Sequence, residues 1–174
     1  MTEWRAPGSG PVVIGFDGSS SATHTVRTAV SLFAPAPVLV VAVWEAGLGF
    51  ELLESPVSIA LAPIDVTAAL DIDRSVFETA QRLAETGAEV ARKAGVKATG
   101  LAVADEGTVA DTLVRLVRER HARALVVGTH GRRGLRHRAI GSTARSLVES
   151  APCPTLVIRY QDADEPSEDA SPKE

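Results

Sequence analysis

The sequence predicts an α/β fold: an open, doubly wound, five-stranded parallel sheet with helices on both faces. Three observations carry that expectation. Short β-branched runs at residues 12–16, 38–44, 125–127 and 155–158 are apolar at almost every position, as strands covered by helices above and below must be. Segments with apolar residues at three- and four-residue steps alternate with these runs. The resulting order, β-α-β-insert-α-β-α-β-α-β, winds into a doubly wound sheet when every crossover is right-handed.

Each element has its own justification. Residues 1–10 read as a flexible leader, with Gly8, Ser9 and Gly10 as loop residues. The first strand, 12–16, stops at Asp17-Gly18-Ser19. The helix that follows, 20–33, aligns Ala22, Val26, Ala29, Val30 and Phe33; Ser19 or Ser20 can cap it and Pro35 stops it. The second strand spans 38–44. Residues 46–72 mix Gly, Pro and apolar residues without a clear period. They could form a lid, and the favoured reading is an irregular connection packed on the rim. The second helix, 74–94, carries Val76, Ala80, Leu83, Ala84, Ala88 and Ala91 and ends at Gly95. A weaker strand, 97–103, ends near Asp105-Glu106-Gly107. The helix 109–121 opens near Thr108 with Val109, Leu113, Leu116 and Val117 on one stripe. After the strand 125–127, a short helix, 142–150, is stopped by Ala151-Pro152, and the last strand covers 155–158.

Composition bounds the function. Of 174 residues, 45% are hydrophobic and 23% charged, enough apolar material for one packed core. No run approaches the ~18 apolar residues of a membrane span. The first residues lack the charged-then-apolar pattern of a secretory signal. Cys153 is the one cysteine, and on its own it can form neither an internal disulfide nor a cysteine-based zinc site. These features predict a cytoplasmic protein with one domain, residues 11–160. The segment 161–174 holds six acids against Lys173 and accounts for −5 of the net −4, leaving +1 for the rest. It reads as a disordered, solubilising tail, with partner binding as the alternative. Heavy use of Ala, Val and Arg suggests a GC-rich bacterial genome.

Ligands of doubly wound sheets bind beyond the carboxyl ends of the strands, where strand order reverses. There the chain reads Gly128-Thr129-His130-Gly131-Arg132-Arg133-Gly134, then Gly141-Ser142-Thr143 at a helix start. Glycines allow close backbone approach, and a helix N-terminus offers unsatisfied N–H donors and a favourable dipole to anions. Arg132, Arg133, Arg136 and Arg138, with His130 and His137, surround the spot without an intervening acid. A phosphate group fits it. Neither a G-x-x-x-x-G-K-[ST] loop nor a G-x-G-x-x-G turn is present; the pattern is G-x2-G-x9-G-S at Gly128, Gly131, Gly141 and Ser142.

These residues, with Gly-Phe-Asp-Gly-Ser after strand one and the closing Ser-Ala-Pro-Cys-Pro-Thr-Leu-Val-Ile-Arg, resemble the universal stress protein family from about Val12 to Arg159. The glycine spacing resembles its ATP-binding members. The resemblance implies a Rossmann-like fold of the adenine nucleotide alpha hydrolase-like kind. It implies that Gly15, Phe16 and Asp17 meet adenine and ribose and that Val43 lines the adenine pocket. By the same resemblance Val127, Gly128, His130, Gly131 and Arg132 follow the ribose and phosphates, and Gly141, Ser142 and Thr143 hold the phosphates. It further implies a nucleotide-dependent regulator of the stress response that dimerises through residues 154–159. Magnesium would be held through the phosphates.

Alternatives attach to each feature. Asp17 could simply cap the next helix or brace the turn. His130 and His137 lack acidic or cysteine companions at ligand spacing, and His24 and His121 read as surface residues. Cys153 reads as a small buried residue rather than a nucleophile. Nucleic-acid binding is disfavoured by a body charge of +1 and only 4% aromatic residues. A slow ATPase, a nucleotidyl transferase and a dimeric interaction protein with a vestigial pocket remain as other functions. No H-x-G-H segment of transferases lies near strand one. Asp17 is the acid expected to face the pocket and is already assigned to the sugar, and nothing in the sequence aims Glu45 or Asp105, which also follow strand ends, at a γ-phosphate. Binding is favoured over turnover.

Overall fold

The computed structural model describes residues 8–53, 66–105, 107–129 and 140–160. Among them the chain runs β1 (Val12–Gly15), α1 (Ser20–Phe33), β2 (Val38–Trp44), α2 (Leu48–Leu53), α3 (Val66–Lys93), β3 (Ala98–Ala104), α4 (Val109–Glu119), β4 (Ala124–Gly128), α5 (Ser142–Ser150) and β5 (Thr155–Ile158). The tail 161–174, residues 1–7 of the leader and the Glu106 turn position lie outside the described residues. Gly8, Ser9 and Gly10 lie against the turn after α4. The Gly10 N–H donates to His121 O at 2.9 Å, and Arg123 Nε donates to Gly10 O at 2.8 Å.

All the strands are parallel, in the order β3-β2-β1-β4-β5. The chain thus builds outward from β1 through β2 to β3, then crosses back to add β4 and β5 on the other side. Alternation along each strand feeds two cores. Val12, Ile14, Val38, Val40, Val126 and Ile158 face α1 and α3, where Val26, Val30, Ala88 and Ala91 meet them. Val13, Leu39, Val41, Leu125 and Val127 face α4 and α5, against Leu113, Leu116, Val117 and Leu147. This three-layer arrangement is the predicted doubly wound α/β fold.

Caps set two of the helix starts. Ser19 Oγ accepts from Ala22 N–H at 3.0 Å at the head of α1, and Thr108 Oγ1 accepts from Asp111 N–H at 3.1 Å at the head of α4. α3 lies close to the sheet because two glycines permit it. A Cβ on Gly100 would stand 2.5 Å from Glu85 N, and one on Gly87 would stand 2.7 Å from Val40 Cγ1.

The stretch 46–72 departs from expectation. It is not irregular throughout: Leu48–Leu53 is helical, and α3 begins at Val66 instead of residue 74. Long-range contacts make the difference. The Asp73 carboxylate accepts from the Gly47 and Gly49 N–H groups at 2.9 and 2.8 Å, fixing the first turn of α2. Gly47 takes φ +86° as the chain leaves β2. Gly49 lies so near the Ala69 backbone that an added Cβ would stand 2.1 Å from Ala69 O. At the other end of the prediction, the helix expected over 109–121 stops at Glu119, where His121 takes φ +47°.

Candidate functional site

Strand order reverses between β1 and β4, so the carboxyl ends of these neighbours form the switch point where doubly wound sheets bind ligands. Three predicted residues converge there on one side of the sheet. A Cβ on Gly15 would meet Val127 Cγ1 at 3.1 Å and Leu113 Cδ1 at 3.6 Å, so the glycine brings β1 and β4 together over α4. Val127 belongs to that core and Val43 is half-buried against it.

Phe16 points the other way. Its N–H extends the strand by donating to Val41 O at 2.8 Å, while its ring is buried on the α1 and α3 side, 3.0 Å from where a Gly87 Cβ would stand. The backbone of Phe16 is at the switch point and its side chain is in the core.

Asp17 braces the turn. Its Oδ1 accepts from Ser19 N–H at 3.0 Å and from Ser19 Oγ at 2.7 Å, and that hydroxyl oxygen in turn caps α1. Gly18 between them has φ +82°. The carboxylate is half-buried and fixed at the exit of β1. Asp17 thus does what the turn-bracing alternative expects, supporting the Ser19 cap at the head of α1.

On the β4 side the chain leaves the sheet at Gly128, and Thr129 makes the decisive tie. Thr129 N–H donates to Ile158 O, and Thr129 O accepts from Gly141 N–H, each at 2.9 Å. The start of α5 is thereby held beside the end of β4. Gly141 fits closely, since a Cβ there would stand 3.0 Å from Thr129 O. As N-cap of α5 it supplies no side-chain acceptor, and no acid stands in the first turn. The exposed Ser142 and Thr143 begin the helix. Among the described residues, and unlike α1 and α4, no side chain caps the leading N–H groups of this N-terminus, an arrangement that suits an anion. Thr129 was not singled out by sequence reasoning. Its signal is faint, a polar residue between motif glycines that is buried to 7% exposure.

His130, Gly131 and Arg132, with Arg133, Arg136, His137 and Arg138, lie outside the described residues. Among the described residues no group of three or more His, Cys, Asp or Glu is placed to hold a metal ion. The other strand-end acids have different surroundings: Glu45 is exposed, and Asp105 Oδ1 accepts from Gly107 N–H at 3.1 Å and Thr112 Oγ1 at 3.2 Å. His24 is exposed on α1, its ring 5.3 Å from that of Tyr160. Cys153 is half-buried beneath α5, and burial pushes its thiol pKa up from the ordinary value, which disfavours the nucleophilic thiolate. No described helix is long and apolar enough to cross a membrane.

Comparison with known proteins gives the fold relatives and the family. A universal stress protein of Methanocaldococcus jannaschii is 35% identical over 54 residues, a match spanning 31% of this chain and 32% of that one. The structure of the Archaeoglobus fulgidus universal stress protein in complex with dAMP superposes with a TM-score of 0.56 at 21% identity, covering 84% of this chain and 95% of its own. A family protein of Arabidopsis thaliana with AMP bound gives a TM-score of 0.56 at 18% identity, covering 91% of this chain and 97% of its own. The model of the universal stress protein family matches residues 9–159, and the chain belongs to that family.

Proposed function

We propose that this chain is a nucleotide-dependent regulator that binds ATP at the β1–β4 switch point and acts as a homodimer. The observation that carries the reading is the Gly141–Thr129 tie, which holds an uncapped helix N-terminus at the end of β4. Ser142 and Thr143 add hydroxyl donors to its backbone N–H groups, and Gly15, Val43 and Val127 offer an apolar wall beside it for a base. Asp17 suits a ribose hydroxyl. The A. fulgidus and A. thaliana relatives solved with dAMP and AMP share adenine, sugar and one phosphate with this ligand. The sequence carries Arg132, Arg133, Arg136 and Arg138 just before Gly141, positive charge that would suit further phosphates, so we assign ATP. Magnesium would be held by the phosphates and water, with few protein ligands.

Binding is favoured over hydrolysis because Asp17 is committed to the turn and the sugar, and Asp105 to its own turn. The dimer would form through residues 154–159, where β5 ends the sheet as an apolar edge strand.

The experiment is calorimetric titration with ATP in the presence of Mg²⁺, after checking the purified protein for carried nucleotide. Micromolar binding is expected in the parent. In Gly141→Val the new side chain pushes against Thr129 O, shifts the α5 start and weakens affinity by at least about tenfold. Equal affinity in a folded Gly141→Val protein would overturn the site.

A further inference from the structure

The sheet has two edges, and the structure treats them differently. β3 has the features that make an edge strand hazardous: it runs for 7 residues, Ala98–Ala104, with neither a charge nor a proline. Its odd-numbered side of the backbone pairs with β2, as where Val38 N–H donates to Lys97 O at 2.8 Å and Asp105 N–H to Trp44 O at 2.7 Å. Its even-numbered residues turn their backbone groups outward.

Side chains of α3 occupy three of those outward groups, Ala98 O, Gly100 O and Ala102 N–H. The Gln81 carboxamide donates from Nε2 to Gly100 O at 3.1 Å and accepts at Oε1 from Ala102 N–H at 2.9 Å. One side chain thus reproduces two bonds of a neighbouring strand. Arg92 donates from Nη1 to Ala98 O at 3.0 Å, and its Nη2 is steadied by Glu85 Oε1 at 2.6 Å. At 100° per residue, Gln81, Glu85 and Arg92 stand within about 40° of one another on the helix. They form a polar row beside the apolar stripe of Ala80, Ala84, Ala88 and Ala91. At the opposite edge, no side chain among the described residues bonds the backbone of β5 in this way.

We propose that Gln81 and Arg92 close the β3 edge to strand addition, so that pairing between copies of this chain is confined to β5. Two copies meeting β5 to β5 form a closed two-fold pair. An open β3 edge would instead admit β5-on-β3 contacts, which do not close and grow into chains. The second copy as partner rests on the dimer proposed above; the closure of β3 does not.

The test is sedimentation of the full chain over a range of concentrations. In the double variant Gln81→Ala, Arg92→Ala the weight-average mass rises to roughly twice that of the parent or more and grows with concentration. Gln81→Glu, which keeps an acceptor for Ala102 N–H and adds an edge charge, stays at the parent's mass. A folded double variant that sediments as the parent does would overturn the proposal. So would an Ala102 amide that exchanges with solvent in the parent as fast as an unprotected one, a readout that requires no variant to fold. A monomeric parent would overturn the β5 dimer alone, since the double variant is still judged against it.

Discussion

Single residues decide how closely the layers approach. Gly100 lies where α3 meets the sheet, and its missing side chain leaves room for the Glu85 backbone, which cannot move aside as a flexible side chain could. Gly100→Ala should therefore lower the unfolding free energy by about 1–3 kcal/mol, read from urea denaturation. Cys153 illustrates a different residue-scale effect. Its folded-state pKa is raised by burial above the ordinary value, so at alkaline pH the unfolded chain gives up a proton that the folded chain still holds. Stability attributable to this thiol is complete below the ordinary value of 9.0 and is lost as pH rises through the higher folded value. Unfolding measured from about pH 8 to about 10.5 should show a shallower alkaline decline in Cys153→Ala than in the parent. Phe16 marks what the sequence offers at this scale. Alternation puts it on the same side as Val12 and Ile14, and that parity is enough to send its ring into the core.

At the scale of elements, boundaries set by local chemistry were legible and those set by distant contacts were not. Ser19 and Thr108 start their helices through neighbours three residues on; the sequence narrowed the first start to Ser19 or Ser20 and placed the second near Thr108. The early turns of α3 escaped because Asp73 interrupts their apolar stripe. Val66, Ala69, Leu70, Phe77 and Ala80 recur at helical spacing once Asp73 is accepted among them. The acid belongs there because it receives the amides of α2, a segment more than twenty positions earlier in the chain. In Asp73→Ala the Gly47 and Gly49 amides lose a charged acceptor. Their hydrogen exchange, followed by NMR, should speed up on the order of tenfold, while the β-strand amides keep their protection. The candidate site divides in the same manner. The start of α5 at Gly141 could be seen from glycine spacing, whereas the part played by Thr129 depends on a bond closed only in the folded chain.

For the whole molecule, the order of runs and helices was enough to give the doubly wound topology, since handedness leaves few ways to wind five parallel strands. That winding brings β1 and β4 side by side and so decides where a ligand can sit before any side chain is chosen. The bond from Gly141 N–H to Thr129 O has a consequence for how such a protein can diversify. It joins the two ends of the segment 130–140 at the sheet and so sets the start of α5 beside the end of β4. Because both partners of this bond are backbone groups, substitutions between them remove neither the donor nor the acceptor.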